Sequence, residues 1–193
     1  MKHPGILNDV LFKIVFGSEG SAPLLRRLLN ALLSLDGLEQ IEELDILNPH
    51  LDKSFIDDKG PILDVKARDK KGRRYNIEVQ LSTGAGDYLE RSLFYSTRFF
   101  AEQLQSGCPY SSLKKTVTIS LLDFVLFPTL PSLHSRFFLW EPEQEHCLTE
   151  LLELHYIELP KFSVSKAHHL RTRFEKWLYF LKFSELLDQD IDR

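Results

Sequence analysis

Ile62-Leu63-Asp64-Val65-Lys66-Ala67-Arg68-Asp69-Lys70-Lys71-Gly72-Arg73-Arg74-Tyr75-Asn76-Ile77-Glu78-Val79-Gln80-Leu81 is the stretch that decides the fold. Leu63, Val65 and Ala67 alternate with Asp64, Lys66 and Arg68; Tyr75, Ile77, Val79 and Leu81 alternate with Arg74, Asn76, Glu78 and Gln80. A period of two on both sides of a glycine predicts a β-hairpin with one apolar face. Asp69 to Arg73 suits a three-residue loop with Gly72 in the left-handed last position. If Asp69 closes against Arg73, Leu63 meets Val79, Val65 meets Ile77 and Ala67 meets Tyr75. A slip of one residue would mix the two faces, so this register is expected.

Upstream, Asn8 is placed to cap a helix over Asp9–Phe16 that stops at Gly17. Ser21 opens a second helix with Pro23 in its first turn and Leu24, Leu25, Leu28, Leu29, Leu32 and Leu33 on one face. Ile41–Leu47 reads as a short strand ended by Asn48-Pro49. Downstream, Asp87 begins a helix expected to reach Ser106 and stop at Gly107. Its buried side is read as Leu89, Leu93, Phe100 and Leu104, with Tyr88, Arg91, Tyr95 and Arg98 on a second stripe. Thr116–Leu122 reads as a buried strand, Ser135–Trp140 and Leu151–Leu159 as further strands, and Lys166–Leu187 as a last helix containing Trp177. The order α-α-β-β-β-α-β predicts an α/β fold with a central mixed sheet flanked by helices.

The chain has 193 residues, which suits one domain, with a core over about 8–127 and a C-terminal extension over about 128–193. A hydrophobic fraction of 43% and a charged fraction of 27% exclude disordered and fibrous classes. The two cysteines, Cys108 and Cys147, exclude a disulfide framework and a four-thiolate zinc site. His168-His169 and His146-Cys147 lack a second ligand pair at metal spacing. With no apolar run near the ~20 residues of a membrane helix and no signal-peptide core, the expected place is the cytoplasm. The net charge of −4 hides a local −7 from Asp36 to Asp58 and +5 from Lys66 to Arg74. That basic block reads equally as a nucleic-acid contact and as a solvated hairpin edge.

The same register sets Asp64 against Glu78 on the polar face, an arrangement that ordinary cross-strand pairing avoids. A hard divalent cation relieves it, because Mg²⁺ takes oxygen ligands from one or two carboxylates plus waters and phosphate oxygens. Gln80, two residues on, shares the face and could hold a water or a phosphate oxygen. The competing reading pairs both acids with Lys66, Arg68 or Arg74.

Ile62-Leu63-Asp64, followed after a basic turn by Ile77-Glu78-Val79-Gln80, resembles the PD-(D/E)XK nuclease signature, and more narrowly the Rpn family of recombination-promoting nucleases and transposases. Other segments fit that resemblance in order: Asn8-Asp9-Val10-Leu11-Phe12-Lys13 with Phe16-Gly17, Tyr88…Arg91…Tyr95, Gly107-Cys108-Pro109-Tyr110, Glu158-Leu159-Pro160-Lys161, and Trp177. It implies a restriction-endonuclease-like core and metal-dependent hydrolysis of DNA phosphodiesters in recombination or mobile-element biology. The metal the resemblance implies is Mg²⁺, with Mn²⁺ as a substitute. Asp64 and Glu78 carry over as metal ligands, Gln80 stands where many relatives have lysine, and Lys66 is the candidate to replace that lysine. Asp9 is the candidate for an additional acid. Tyr88, Arg91, Tyr95 and Arg98 would line the DNA entrance. Two alternatives stay open: a non-catalytic DNA-binding module, and a D-D-E transposase built on Asp64, Asp123 and Glu158. DNA is the expected partner, no membrane is, and self-association is open.

Overall fold

The computed structural model describes residues 7–47, 64–81, 86–163 and 169–187, with the backbone alone for Asp9 and residues 185–187. Two helices, α1 (Asp9–Gly17) and α2 (Ala22–Leu32), precede strands β1 (Leu44–Ile46), β2 (Val65–Asp69) and β3 (Arg74–Gln80). Helix α3 (Tyr88–Ala101) crosses to β4 (Thr116–Leu122), and β5 (His134–Glu141), β6 (His146–Glu158) and α4 (Arg173–Leu187) complete the described chain. The six strands form one mixed sheet in the order β1-β2-β3-β4-β6-β5. β4 runs parallel to β3 and to β6, and the remaining pairs are antiparallel. This is the α/β, restriction-endonuclease-like arrangement expected from the sequence.

The hairpin has the expected register, with Val65 opposite Ile77 and Ala67 opposite Tyr75. Leu63 and Ile62, and the pair Leu63–Val79, lie outside the described residues. Gly72 has φ of 80°, and its N–H donates to Asp69 O at 2.9 Å while Asp69 N–H donates to Arg73 O at 3.0 Å. A side chain other than glycine would be strained there. Asn8 caps α1 by accepting from Val10 N at 3.1 Å and Leu11 N at 3.2 Å.

One face of β2 and β3, carrying Val65, Ala67, Tyr75, Ile77 and Val79, packs with Phe12, Phe16, Leu25, Leu28, Leu29, Leu32 and Leu178 into the main core. Helices α1, α2 and α4 therefore cover that face, and α3 lies on the other. Burying a side chain of this size contributes about 1.5–3 kcal/mol each, so the leucine face of α2 is a large share of the fold's stability.

Several boundaries move for identifiable reasons. Asn30 donates to Ile41 O at 2.9 Å and accepts from Ile41 N at 2.8 Å, so the backbone at Ile41 is taken and β1 begins only at Leu44. Helix α3 ends at Ala101 rather than Ser106. There the Gln103 amide donates to Lys114 O and Thr116 Oγ1 at 3.0 and 2.9 Å, tying the chain to the start of β4. The last helix begins at Arg173, where Glu175 accepts from Arg171 N and Thr172 N at 2.7 and 2.9 Å; residues 164–168, including His168, lie outside the described residues.

The buried face of α3 is a correction. Tyr88, Ser92, Ser96 and Phe99 face the sheet, whereas Leu89 and Leu93 are 44% and 50% exposed. Serines at i and i+4 let the helix approach the strands closely, and Ser92 Oγ reaches Tyr156 Oη at 2.7 Å.

The basic block also has a local explanation. Arg73 Nε lies 2.6 Å from Asp69 and its Nη1 3.1 Å from Glu39, Lys70 pairs with Glu43, and Arg68 lies 3.8 Å from Asp45. Lys71 Nζ donates to Leu38 O at 2.6 Å, and Arg74 donates to Phe99 O at 3.1 Å. Much of the +5 therefore meets the acids of residues 39–45, which share the −7 stretch.

Candidate active site

Alternation along the hairpin splits its side chains. Val65, Ala67, Ile77 and Val79 are buried in the core, while Asp64, Lys66, Glu78 and Gln80 stand half-buried on the opposite face. Asp64 is the residue before β2, so the Val65–Ile77 pair carries it on toward Glu78. Burial pushes both carboxyls above their ordinary range. Lys66 and Lys13 pull Asp64 back down, while the Asp64 charge pushes Glu78 further up. Two desolvated acids near each other form a site that favours a cation.

Each acid has its own attendants. Lys66 Nζ lies 3.5 Å from Asp64 Oδ2 and 5.1 Å from the centroid of the Phe99 ring. Tyr88 donates its hydroxyl to Glu78 Oε1, and Ser120 Oγ, from β4, donates to the same oxygen at 3.4 Å. Arg91 donates through Nη2 to Gln80 Oε1. Tyr88 is 1% exposed, which takes it away from the solvent-facing entrance and puts it under the carboxylate. Tyr95 packs edge-on to Phe94, and Arg98 lies 3.1 Å from Glu102, the residue that follows α3. Asp9 opens α1, and its side chain lies outside the described atoms.

Sequence reasoning missed Lys13. It is 4% exposed, and its Nζ donates to the backbone carbonyl of Asp64 at 2.9 Å. Burial lowers its pKa and the Asp64 carboxylate opposes that shift. The stem reaches the site because Gly17 has no side chain. A Cβ there would stand 2.8 Å from Lys13 Cδ and 3.3 Å from Val65 Cγ2. A lysine followed one helical turn later by a glycine was the available signal.

In the other acidic triad, Glu158 is engaged by the scaffold. Glu158 is 0% exposed, accepts from Leu126 N at 2.7 Å and Phe127 N at 3.0 Å through one oxygen, and pairs with Lys161 through the other. It holds the turn after β4. Asp123 follows β4, and its N–H donates to Gln80 O at 3.2 Å.

A family model described as PD-(D/E)XK nuclease family transposase matches residues 6–192. The chain belongs to this family. No match is found among curated proteins or among solved structures. Membership in the PD-(D/E)XK transposases supports a nuclease-related function, for which such proteins generally use divalent metals. Among the described residues no group of three or more His, Cys, Asp and Glu side chains gathers as a ready-made metal cage. A pair of acids beside an amide still fits a hard cation such as Mg²⁺, which binds through one or two carboxylates and keeps several waters. Nor is any helix among the described residues long and apolar enough to cross a membrane.

Proposed function

We propose that this protein is a Mg²⁺-dependent endodeoxyribonuclease that hydrolyses DNA phosphodiester bonds during recombination or the movement of mobile elements. The observation that carries the reading is the pair of half-buried acids, Asp64 and Glu78, on one face of the β2–β3 hairpin, flanked by Lys66, Gln80 and Arg91. Asp64 and Glu78 would hold the metal, with Mn²⁺ as a substitute. Bound there, a divalent ion supplies a lowered pKa for a water and offsets negative charge on the phosphate. The reaction joins a water oxygen to phosphorus, breaks one P–O ester bond and leaves a proton on the departing oxygen.

The chain's own groups set the geometry. Tyr88 and Ser120 hold Glu78 Oε1, Lys66 offsets the charge of Asp64, and Lys13 fixes the Asp64 backbone from behind. Arg91 would contact the phosphate, and Tyr95 and Arg98 would extend that contact along α3. Acting on DNA of the chromosome or of a mobile element, the protein would work in the cytoplasm.

Plasmid nicking by purified protein, with and without Mg²⁺ or Mn²⁺, tests the reading. Wild type should nick only with metal, while Asp64→Ala and Glu78→Gln should not nick at all. Metal-independent DNA binding without cleavage by wild type would instead establish a non-catalytic binding module.

A further inference from the structure

The Gln80 amide is fixed at both ends. Its Nε2 donates to Leu81 O at 3.0 Å, which settles the orientation of the amide and turns Oε1 toward α3. Arg91 Nη2 donates to that oxygen, and the Arg91 Cζ lies 5.3 Å from the centroid of the Tyr88 ring. The Arg91 charge also acts on Glu78. Strand residues two apart, Glu78 and Gln80, thus receive helix residues three apart, Tyr88 and Arg91. A carbonyl oxygen already holding a guanidinium is a poor seat for a second cation, because the two positive charges repel.

We propose that Gln80 is a positioning residue that binds no metal itself and holds the Arg91 guanidinium where it meets the phosphate. The inference rests on the nuclease reading above. A guanidinium stays charged at any working pH and presents its donors in a rigid planar fork matched to phosphate oxygens. One N–H on Gln80 and the face of Tyr88 together fix that plane. The positive charge that a lysine would bring on the strand arrives instead from the helix. Lys66 is less suited to the task, since it lies against Asp64 and the Phe99 ring.

Two measurements test the assignment. The first follows duplex affinity against salt in a chelator, where nothing is cleaved, for wild type, Gln80→Met, Arg91→Ala and the double variant. Methionine keeps the volume and removes the acceptor. Both single variants should make the log–log slope shallower by about one unit, and the double variant by no more than one. The second is metal-dependent nicking, where each single variant should lose about 10²-fold in kcat and show a raised KM from the lost phosphate contact. The double variant should equal Arg91→Ala. An unchanged salt slope for Gln80→Met overturns the assignment, as do kcat losses that multiply in the double variant. So does a severalfold higher Mg²⁺ requirement in Gln80→Met alone, the mark of a direct ligand. If wild type cleaves nothing while the chelator slopes remain coupled, the nuclease reading fails and the Gln80–Arg91 unit stands.

Discussion

Tyr88, the first residue of α3, donates its hydroxyl to Oε1 of Glu78, the residue of β3 whose carboxyl burial raises above the ordinary range. The hydrogen bond favours the charged form and partly offsets the cost of burial. Because the folded pKa exceeds the unfolded one, the stability gained from Glu78 is complete below the unfolded value and is lost as pH rises through the folded value. Tyr88→Phe should raise the folded pKa further, so metal-free protein should lose more stability toward neutral pH than wild type does. Glu78→Gln should flatten that dependence. Melting temperatures across pH in a chelator decide this, and coincident wild-type and Tyr88→Phe profiles would count against the Tyr88 contact.

Binding of Mg²⁺ to the two carboxylates should relieve the same cost and stabilise the native state. At a concentration one hundred times the dissociation constant the gain is about 2.7 kcal/mol. Wild type should melt at a higher temperature with Mg²⁺, and Glu78→Gln should not respond. Equal responses in the two proteins would remove the carboxylate pair from metal binding.

Lys70 and Lys71 look like a DNA contact in the sequence, yet Lys70 pairs with Glu43 and Lys71 donates to Leu38 O. Replacing both by serine should leave the salt slope of duplex binding within experimental error of wild type. A slope shallower by about two units would return these lysines to the DNA surface.

Glu158→Gln separates scaffold from chemistry. The variant leaves Lys161 without its carboxylate and weakens the hold on Leu126 N and Phe127 N, at a cost of about 2–3 kcal/mol read by urea unfolding. Metal-dependent nicking should survive at temperatures where the protein is folded. Loss of nicking in a fully folded variant would revive the D-D-E alternative.

The hairpin was legible in the sequence because two independent signals agreed: alternation of period two, and Gly72 at a position that requires positive φ. The helix α3 misled because its most apolar stripe is not its buried one. Ser92 and Ser96 are small enough to sit against the sheet, and Tyr88 is buried through its ring while its hydroxyl serves Glu78. Composition along a helix reports hydrophobicity, and close approach to a sheet also rewards small side chains. Lys13 was invisible for a related reason. A lone lysine in a short amphipathic helix looks like a solvent-facing cation until the path past Gly17 is seen. Glu158 carried the opposite ambiguity, since an acid that caps backbone N–H groups reads in sequence like one available for chemistry.

Because Tyr75, Ile77 and Val79 point to one side of β3 while Glu78 and Gln80 point to the other, heredity can act on the two sides separately. An exchange at position 80 rewrites the reactive chemistry without touching the interior on which folding depends, which is how glutamine could take a lysine's place in a viable ancestor. Insertion of one residue between Ile77 and Glu78 would do the reverse, turning the acid inward and a core valine outward in a single event. Lineages of this protein should therefore keep the fold through exchanges at position 80 and be intolerant of any change in the length of this strand.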